Sequence, residues 1–428
     1  MRDLASVVTI DRVWELPGKD RVQGATFSEL DFDVMISKDI QPGTLVAFIQ
    51  EGACLPVCEN WEWLRKRCYR DNLNGKEGFL IKPQKFKEIK SWGVAVPLNE
   101  LGLKEPVYSK LKAGDDITDL LGIWKYEPVE DASPSDTKPL KKWPSWVKFC
   151  YKYKTLRWIG QIWVKLHQNK VTPFPTNLIS KTDETALQNM KGILERNLDT
   201  PIYITPKMEG QSFTIIPTFK YGKIHSAYPC SRNIPYPKQD ESILWKMMIK
   251  YDVINKMTEL WNKHGIAVIV QGEQVGPTIQ QNIYDFEDNK WYVFTMKDYH
   301  TKKQLSYDQM KGISEMLGLP IVQNIYQVPE MKQVFTTTAE AIDFAERVVF
   351  TPYNGSDEIV TTIKDRLDKN LWKEYLQHEG IVVRSINYDK DNEHGFSFKI
   401  KNSDYHEKGL GYIHERCVEL KKKMVKEK

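Results

Sequence analysis

The chain has 428 residues, 41% hydrophobic and 28% charged, with 24 glycines and 22 prolines, so collagen-like and wholly disordered readings fall away and one to three domains are allowed. Lys and Arg number 61 against 57 Asp and Glu, a net +4 that does not announce a nucleic-acid partner yet leaves room for a local basic groove. No apolar run nears the roughly 18 to 20 residues of a membrane helix, and Met1 to Val8 has neither a basic start nor an apolar stretch, so an intracellular protein, neither secreted nor membrane-spanning, is expected.

The first hundred residues read as short strands. Ala5 to Val13, Asp31 to Ile36, Thr44 to Gln50 and Val94 to Leu98 are rich in Val, Ile, Phe and Thr, with turns at Pro17-Gly18 and Pro42-Gly43. Strands without a long helical pattern predict a small β-barrel over residues 1–100. Within this region Cys54 and Cys58 have no zinc-site spacing, and the six cysteines are expected as reduced thiols. Residues 101–145 carry Pro106, Pro128, Pro134 and Pro139 among polar residues and read as a linker.

The remainder, residues 146–428, mixes strands and helices in an α+β pattern. Ser180-Lys181-Thr182-Asp183 has the form of a capping box and predicts a helix from about Thr182 to Glu195. Strands are expected at Ile202 to Thr205, Gln211 to Phe219, Ala267 to Val270, Trp291 to Met296, Gly380 to Ile386 and Phe396 to Lys401. Helices are expected at Glu241 to His264, Tyr307 to Leu317 and Thr338 to Val348, followed by a Lys-rich tail.

Lys207 lies in Thr205-Pro206-Lys207-Met208-Glu209-Gly210, a strand running into a turn where Gly210 is expected to take a positive φ. A lysine on rigid flanks becomes a nucleophile once its pKa is lowered, and could then attack phosphorus. Alternation in Phe396 to Lys401 puts Lys399 and Lys401 on one strand face about 7 Å apart, the spacing of a phosphate clamp. Glu273 and Glu379 each stand beside a glycine and an apolar run, and carboxylates gathered with lysines around a triphosphate are what hold hydrated magnesium. Each fragment also has an ordinary reading as a hairpin, a solvated strand face or surface charge. Their order is the specific feature.

Taken in order, K-x-E-G at Lys207, Ser231-Arg232-Asn233, G-E-x-x-G at Glu273, Tyr292-Val293-Phe294, E-G-I-V-V-R from Glu379 and K-I-K from Lys399 resemble motifs I to V of the covalent nucleotidyltransferase superfamily. Gly272 to Asn282, Lys181 to Thr185 and segments of the first hundred residues are similar to nick-sealing ATP-dependent RNA ligases with an N-terminal OB domain. This resemblance covers residues 4–98 and 180–402, and sets off 323–375 as an insertion. It implies an RNA ligase that forms a lysyl-AMP on Lys207, passes AMP to a 5′-phosphate, and seals a 3′-hydroxyl to it. The implied cofactors are ATP and Mg2+ or Mn2+; the implied partner of a monomeric enzyme is nicked or broken RNA on an RNA or DNA template strand.

By position, the resemblance assigns the α-phosphate to Lys399 and Lys401 and the metal waters to Glu209, Glu273 and Glu379. Thr205, Pro206, Gly210, Arg232 and Phe294 would surround the nucleotide, with Glu273 and Glu379 beside it. Lys82, Lys85, Lys87 and Lys90 would track RNA phosphates, with Trp92 near a base or sugar. Glu209 stands where the family usually has Asp, and Ala186 where relatives often have Arg. A capping-type guanylyltransferase and a catalytically silent RNA-binding module are the alternatives. A DNA ligase, like the capping enzyme, is disfavoured because the barrel precedes motif I.

Overall fold

The barrel forms because its first strand bends. In the computed structural model, which describes residues 4–126, 174–352, 359–365, 374–402, 405 and 410–426 apart from positions 17, 74, 83, 87, 88 and 183, strand β1 spans Ala5–Glu15. Its first half pairs with β4 (Leu45–Gln50) and its second half with β2 (Val22–Phe27), the pairing shifting at a bulge between Ile10 and Arg12. Such a bulge bends a strand and lets it serve two halves of a curved sheet. Adding β3 (Val34–Ser37) and β10 (Gly93–Pro97) gives the order β10-β4-β1-β2-β3. A second sheet has the order β11-β5-β7-β6, from β5 (Ala53–Leu55), β6 (Tyr69–Leu73), β7 (Lys76–Leu80) and β11 (Trp124–Lys125), while β8 (Gln84–Phe86) and β9 (Ile89–Ser91) form a hairpin.

The described start of the expected linker packs into this unit. Leu101, Ile117, Leu121 and Ile123 share a core with Val7, Ile49, Trp61 and Phe79, and the Ile117 N–H donates to Ala5 O at 3.0 Å. The prolines there punctuate a wrapping segment. Residues 127–145 lie outside the described residues.

Two antiparallel sheets build the second unit. One has the order β17-β12-β21-β22, from β12 (Ile202–Lys207), β17 (Tyr326–Val328), β21 (Gly380–Ser385) and β22 (Ser397–Lys401). The other has the order β14-β13-β15-β16, from β13 (Gln211–Lys220), β14 (Lys223–Cys230), β15 (Val268–Val275) and β16 (Lys290–Asp298). The first buries Ile204, Val383, Phe398 and Ile400 with Phe344 and Ala345 of the helix Thr338–Arg347. The second buries Phe213, Val270 and Trp291 with residues of the helices Ile243–Lys250, Val253–His264 and Tyr307–Leu317. A smaller sheet, β19-β18-β20, comes from β18 (Val348–Pro352), β19 (Ile359–Ile363) and β20 (Leu376–Gln377). The helix Leu410–Lys426 buries Ile413, Cys417 and Leu420 against Tyr284 and Phe350. The α+β architecture, a barrel followed by antiparallel sheets and helices, is the one the sequence predicts.

Three local expectations are corrected. No helix starts at Thr182; the Lys399 N–H donates to Thr185 O at 2.8 Å and Ala186 bridges Lys399, so the segment completes the edge of β22 instead. Only short 3-10 turns follow, at Leu187–Asn189 and Glu195–Asn197. The single helix expected over 241–264 is two, broken where Asp252 takes a φ of +52°. Gly210 is required for space, since a Cβ there would sit 2.3 Å from Gln274 O, and it is not among the positive-φ glycines.

Candidate active site

Three strand ends create the site. In β12 to β22 the register sets Lys207 opposite Gly380 and Gly380 opposite Lys401, with Val382 opposite Lys399. Glycine is needed at 380 because a Cβ would meet Ile400 O at 2.0 Å. Neighbouring strands lie about 4.8 Å apart, so the last residue of β12, the first of β21 and the last of β22 form one row. Glu379, one residue before that row, makes an ion pair with Lys207.

The second sheet faces this row from its own end. Ser212 of β13 pairs with Glu273 of β15, and the close turn at Gly210 brings the Lys207 loop against Glu273. Burial disfavours the Lys207 ammonium, but the carboxylates of Glu379, Glu209 and Glu273 outweigh it and hold the pKa above the ordinary lysine value. The Glu209 carboxyl is pushed up, first by burial and then by the neighbouring Glu379. Three carboxylates therefore crowd one amine. Among the described residues no three or more His, Cys, Asp or Glu side chains form a direct metal-ligand cluster.

Phe294 is aimed by a bulge. Gln271 pairs with Thr295 and Gly272 with Val293, which leaves Phe294 as the extra residue of β16. Its carbonyl accepts from Arg384 Nη1 at 2.7 Å, and Arg384 lies 5.8 Å from the Phe294 ring centre. Arg384 also donates from Nη2 to Glu184 at 2.6 Å, and Ser397 Oγ donates to the other Glu184 oxygen at 2.6 Å. Burial alone would raise the Glu184 pKa, but Arg384 and Ser397 bring it below the usual carboxylate value. This buried network ties β16, β21, β22 and the 180s together.

Other expected residues are spread around this centre. Thr205 and Pro206 are buried inside β12. Arg232 is half-buried in the loop after β14, where the neighbouring Asn233 accepts from Lys181 Nζ at 2.7 Å. Lys399 and Lys401 are half-buried on β22, while Phe398 and Ile400 point into the core. In the barrel Lys82 is exposed, Lys85 and Lys90 pair across β8 and β9, and Lys87 lies outside the described residues. Trp92 is only 4% exposed, so it is a barrel core residue in this structure rather than one presented to a base or sugar. It sits between β9 and β10, with Ser91 and Gly93 buried on either side of it.

Three groups at the site escape sequence reasoning. Tyr284 Oη accepts from the Glu209 N–H at 3.0 Å, and Tyr405 Oη donates to Glu209 Oε2 at 3.3 Å. Both tyrosines are almost fully buried. Glu51, in the turn between β4 and β5, makes an ion pair with Lys401 and so joins the barrel to the Lys207 row. A tyrosine in a loop and a glutamate in a distant turn carry no spacing signal toward Lys207.

Residues 200–401 match the family model for RNA ligase, a span that contains Lys207, Glu273, Phe294, Glu379, Lys399 and Lys401. The resemblance to RNA ligases is thereby matched over these residues. Solved structures that share the fold include a Naegleria gruberi RNA ligase with PPi, at TM-score 0.66 and 19% identity over 96% of this chain and 100% of that one. A lysine-to-alanine mutant of the Naegleria gruberi enzyme with ATP and Mn aligns at TM-score 0.64 and 18% identity over 97% and 98% of the two chains. A lysine-to-methionine mutant with AMP and Mn aligns at TM-score 0.66 and 19% identity over 95% and 99%. A comparison with curated proteins finds no match.

Proposed function

We propose that this protein is an ATP-dependent RNA ligase that joins 3′-hydroxyl and 5′-phosphate RNA ends at nicks, through lysyl-AMP and adenylylated 5′-end intermediates. The observation that carries the reading is Lys207 at a strand end, among Glu209, Glu273 and Glu379 and in one row with Lys401. The family match and the ATP, AMP and Mn of the similar structures support the choice of reaction and cofactors.

In the first step Lys207 Nζ forms a bond to the α-phosphorus, the bond to the bridging oxygen breaks, and pyrophosphate leaves with the electron pair. An ammonium has no lone pair, so Lys207 must first give up a proton, which passes to solvent water. Neutralising the carboxylates around it removes the field that holds that proton. Glu209, Glu273 and Glu379 are the residues that would hold a divalent cation through its water shell, and a cation bound there supplies positive charge to the phosphates. Burial and then the neighbouring Glu379 raise the Glu209 pKa, and positive charge bound there would relieve the second of these. Lys399 and Lys401 offer two ammonium groups to the α-phosphate, Phe294 an aromatic face to adenine, and Arg232 a guanidinium to the nucleotide or the RNA 3′ end. Alignment of the reacting oxygens and phosphorus then does most of the work.

The barrel is read as the RNA-binding module, with Lys82, Lys85, Lys87 and Lys90 beside the phosphates and residues 101–126 belonging to it. The test is incubation with α-labelled ATP or, separately, α-labelled GTP, with magnesium or manganese, followed by peptide mapping. An AMP adduct on Lys207 is expected. A GMP adduct would move the reading to capping-type transfer, and no adduct on protein free of pre-bound AMP would overturn it.

A further inference from the structure

At the opposite end of the second sheet, a hairpin tip has the wrong residue for its backbone. Lys220 pairs with Lys223 across a two-residue turn, with Tyr221 at φ +52° and Gly222 at φ +73°. Such turns favour Asn or Asp before the glycine, because a larger side chain crowds the left-handed backbone. Tyr221 is nevertheless 93% exposed, so burial does not explain its ring. Strain held in place without a packing reward points to use.

The surroundings say what would use it. Behind the tip, the Phe219 ring stacks on Tyr299 at 4.8 Å and meets Trp261 at 5.2 Å, which makes a rigid aromatic base. Lys220 Nζ lies 5.3 Å from the Tyr221 ring centre, and Lys302 Nζ lies 4.1 Å from that of Tyr299. Lys223 and Lys303 are exposed beside them. The nearby Asp298 is turned to its own loop, accepting from the His300 and Thr301 N–H groups at 3.0 and 2.6 Å, and Glu259 pairs with Lys263. Positive charge next to a presented ring is the pattern of a single-strand stacking platform.

We propose that this tip is a second RNA-binding surface, where an unpaired base of a strand flanking the nick stacks on Tyr221 while Lys220, Lys223 and Lys303 hold the adjoining phosphates. The inference rests on the RNA ligase reading above. β13 runs from Gln211, beside the site, to Lys220, a length of about 30 Å at strand rise. The surface therefore serves RNA that extends beyond the reacting ends. It adds affinity without touching the nucleotide.

The test compares a blunt nicked RNA duplex with the same duplex carrying a single-stranded extension of about 10 nucleotides at either end. Binding is measured by fluorescence anisotropy without metal, across salt concentrations. The full chain should bind an extended duplex at least about fivefold tighter than the blunt one. Tyr221→Asn, which suits the backbone and keeps the fold, should erase that gain, whereas Tyr221→Phe should retain it. Lys220→Ala and Lys223→Ala should each reduce the salt slope for the extended duplex by about 0.7. Equal affinity for blunt and extended duplexes, or equal losses on both in the variants, would overturn the inference and leave the tip to a protein partner. Labelling with α-labelled ATP in the same variants separates this from the ligase reading: intact Lys207 adduct with no extension effect sinks only the surface, and no adduct in the wild-type chain sinks the reading beneath it.

Discussion

Two charge clusters, one buried and one half-buried, lie at opposite ends of β21 and behave differently. At the far end Arg384 meets Glu184 and Ser397 with short bonds on both carboxylate oxygens, and the acid is held below its usual pKa. At the near end Glu379, Glu209 and Glu273 crowd Lys207, and Glu209 is held above its usual pKa. The first cluster is balanced, so it fastens strands. The second carries more acid than base, and perturbed groups of that kind are what the reaction centre proposed here requires.

The largest expected effect breaks the near cluster without touching the fold. Lys207→Arg keeps a positive charge among the carboxylates but cannot supply a neutral nitrogen, so the AMP adduct should vanish while the melting temperature stays within a few degrees. Labelling and calorimetry on one preparation check both halves. Retained adduct would remove Lys207 as the nucleophile.

Next, Arg384→Met leaves Glu184 buried without its cation and should cost about 3 to 5 kcal/mol in urea unfolding. Glu379→Gln should cost less than about 1 kcal/mol, because it thins a crowd of like charges, while lowering adenylylation at least about 100-fold. Equal stability losses in the two variants would erase the contrast between the clusters.

His378 sharpens the comparison through pH. It is buried at 1% exposure and burial pushes its pKa down to about 3 from 6.5, so its neutral form is favoured in the fold. A depressed folded pKa gives stability that is present above pH 6.5 and lost as pH falls toward 3. His378→Gln should flatten that slope, worth a few kcal/mol across the window, in unfolding curves measured from pH 7 to 4. An unchanged slope would assign the acid sensitivity to other groups.

The smallest effect belongs to the barrel contact. Glu51→Gln releases Lys401 from its ion pair and should lower the ATP KM for adenylylation by at most about fivefold, with kcat nearly unchanged. A raised KM would show that the contact positions Lys401 rather than competing for it.

Much of the candidate site was readable in advance because strands with a period of two declare their faces. Lys399 and Lys401 alternate with Phe398 and Ile400, and burial follows that alternation. The helix at Thr182 failed because a local capping pattern yields to an unpaired strand edge, whose backbone groups must find partners. Trp92 failed because the basic run before it suggests an RNA-facing edge; it lies between β9 and β10 and is buried, and burial at such a junction depends on how the barrel closes.

The order of motifs, spread along the chain from Lys207 to Lys401, by itself pointed to the class of chemistry proposed here, since lysines and acids in a fixed order are residue types in a sequence. Only the tertiary structure decided how they meet. Register set Lys207 and Lys401 on either side of Gly380, a bulge aimed Phe294, and Tyr284, Tyr405 and Glu51 arrived from distant segments. Side-chain periodicity is a local property of the backbone, whereas contacts between segments depend on how whole sheets pack, and that is why the first was legible and the second was not.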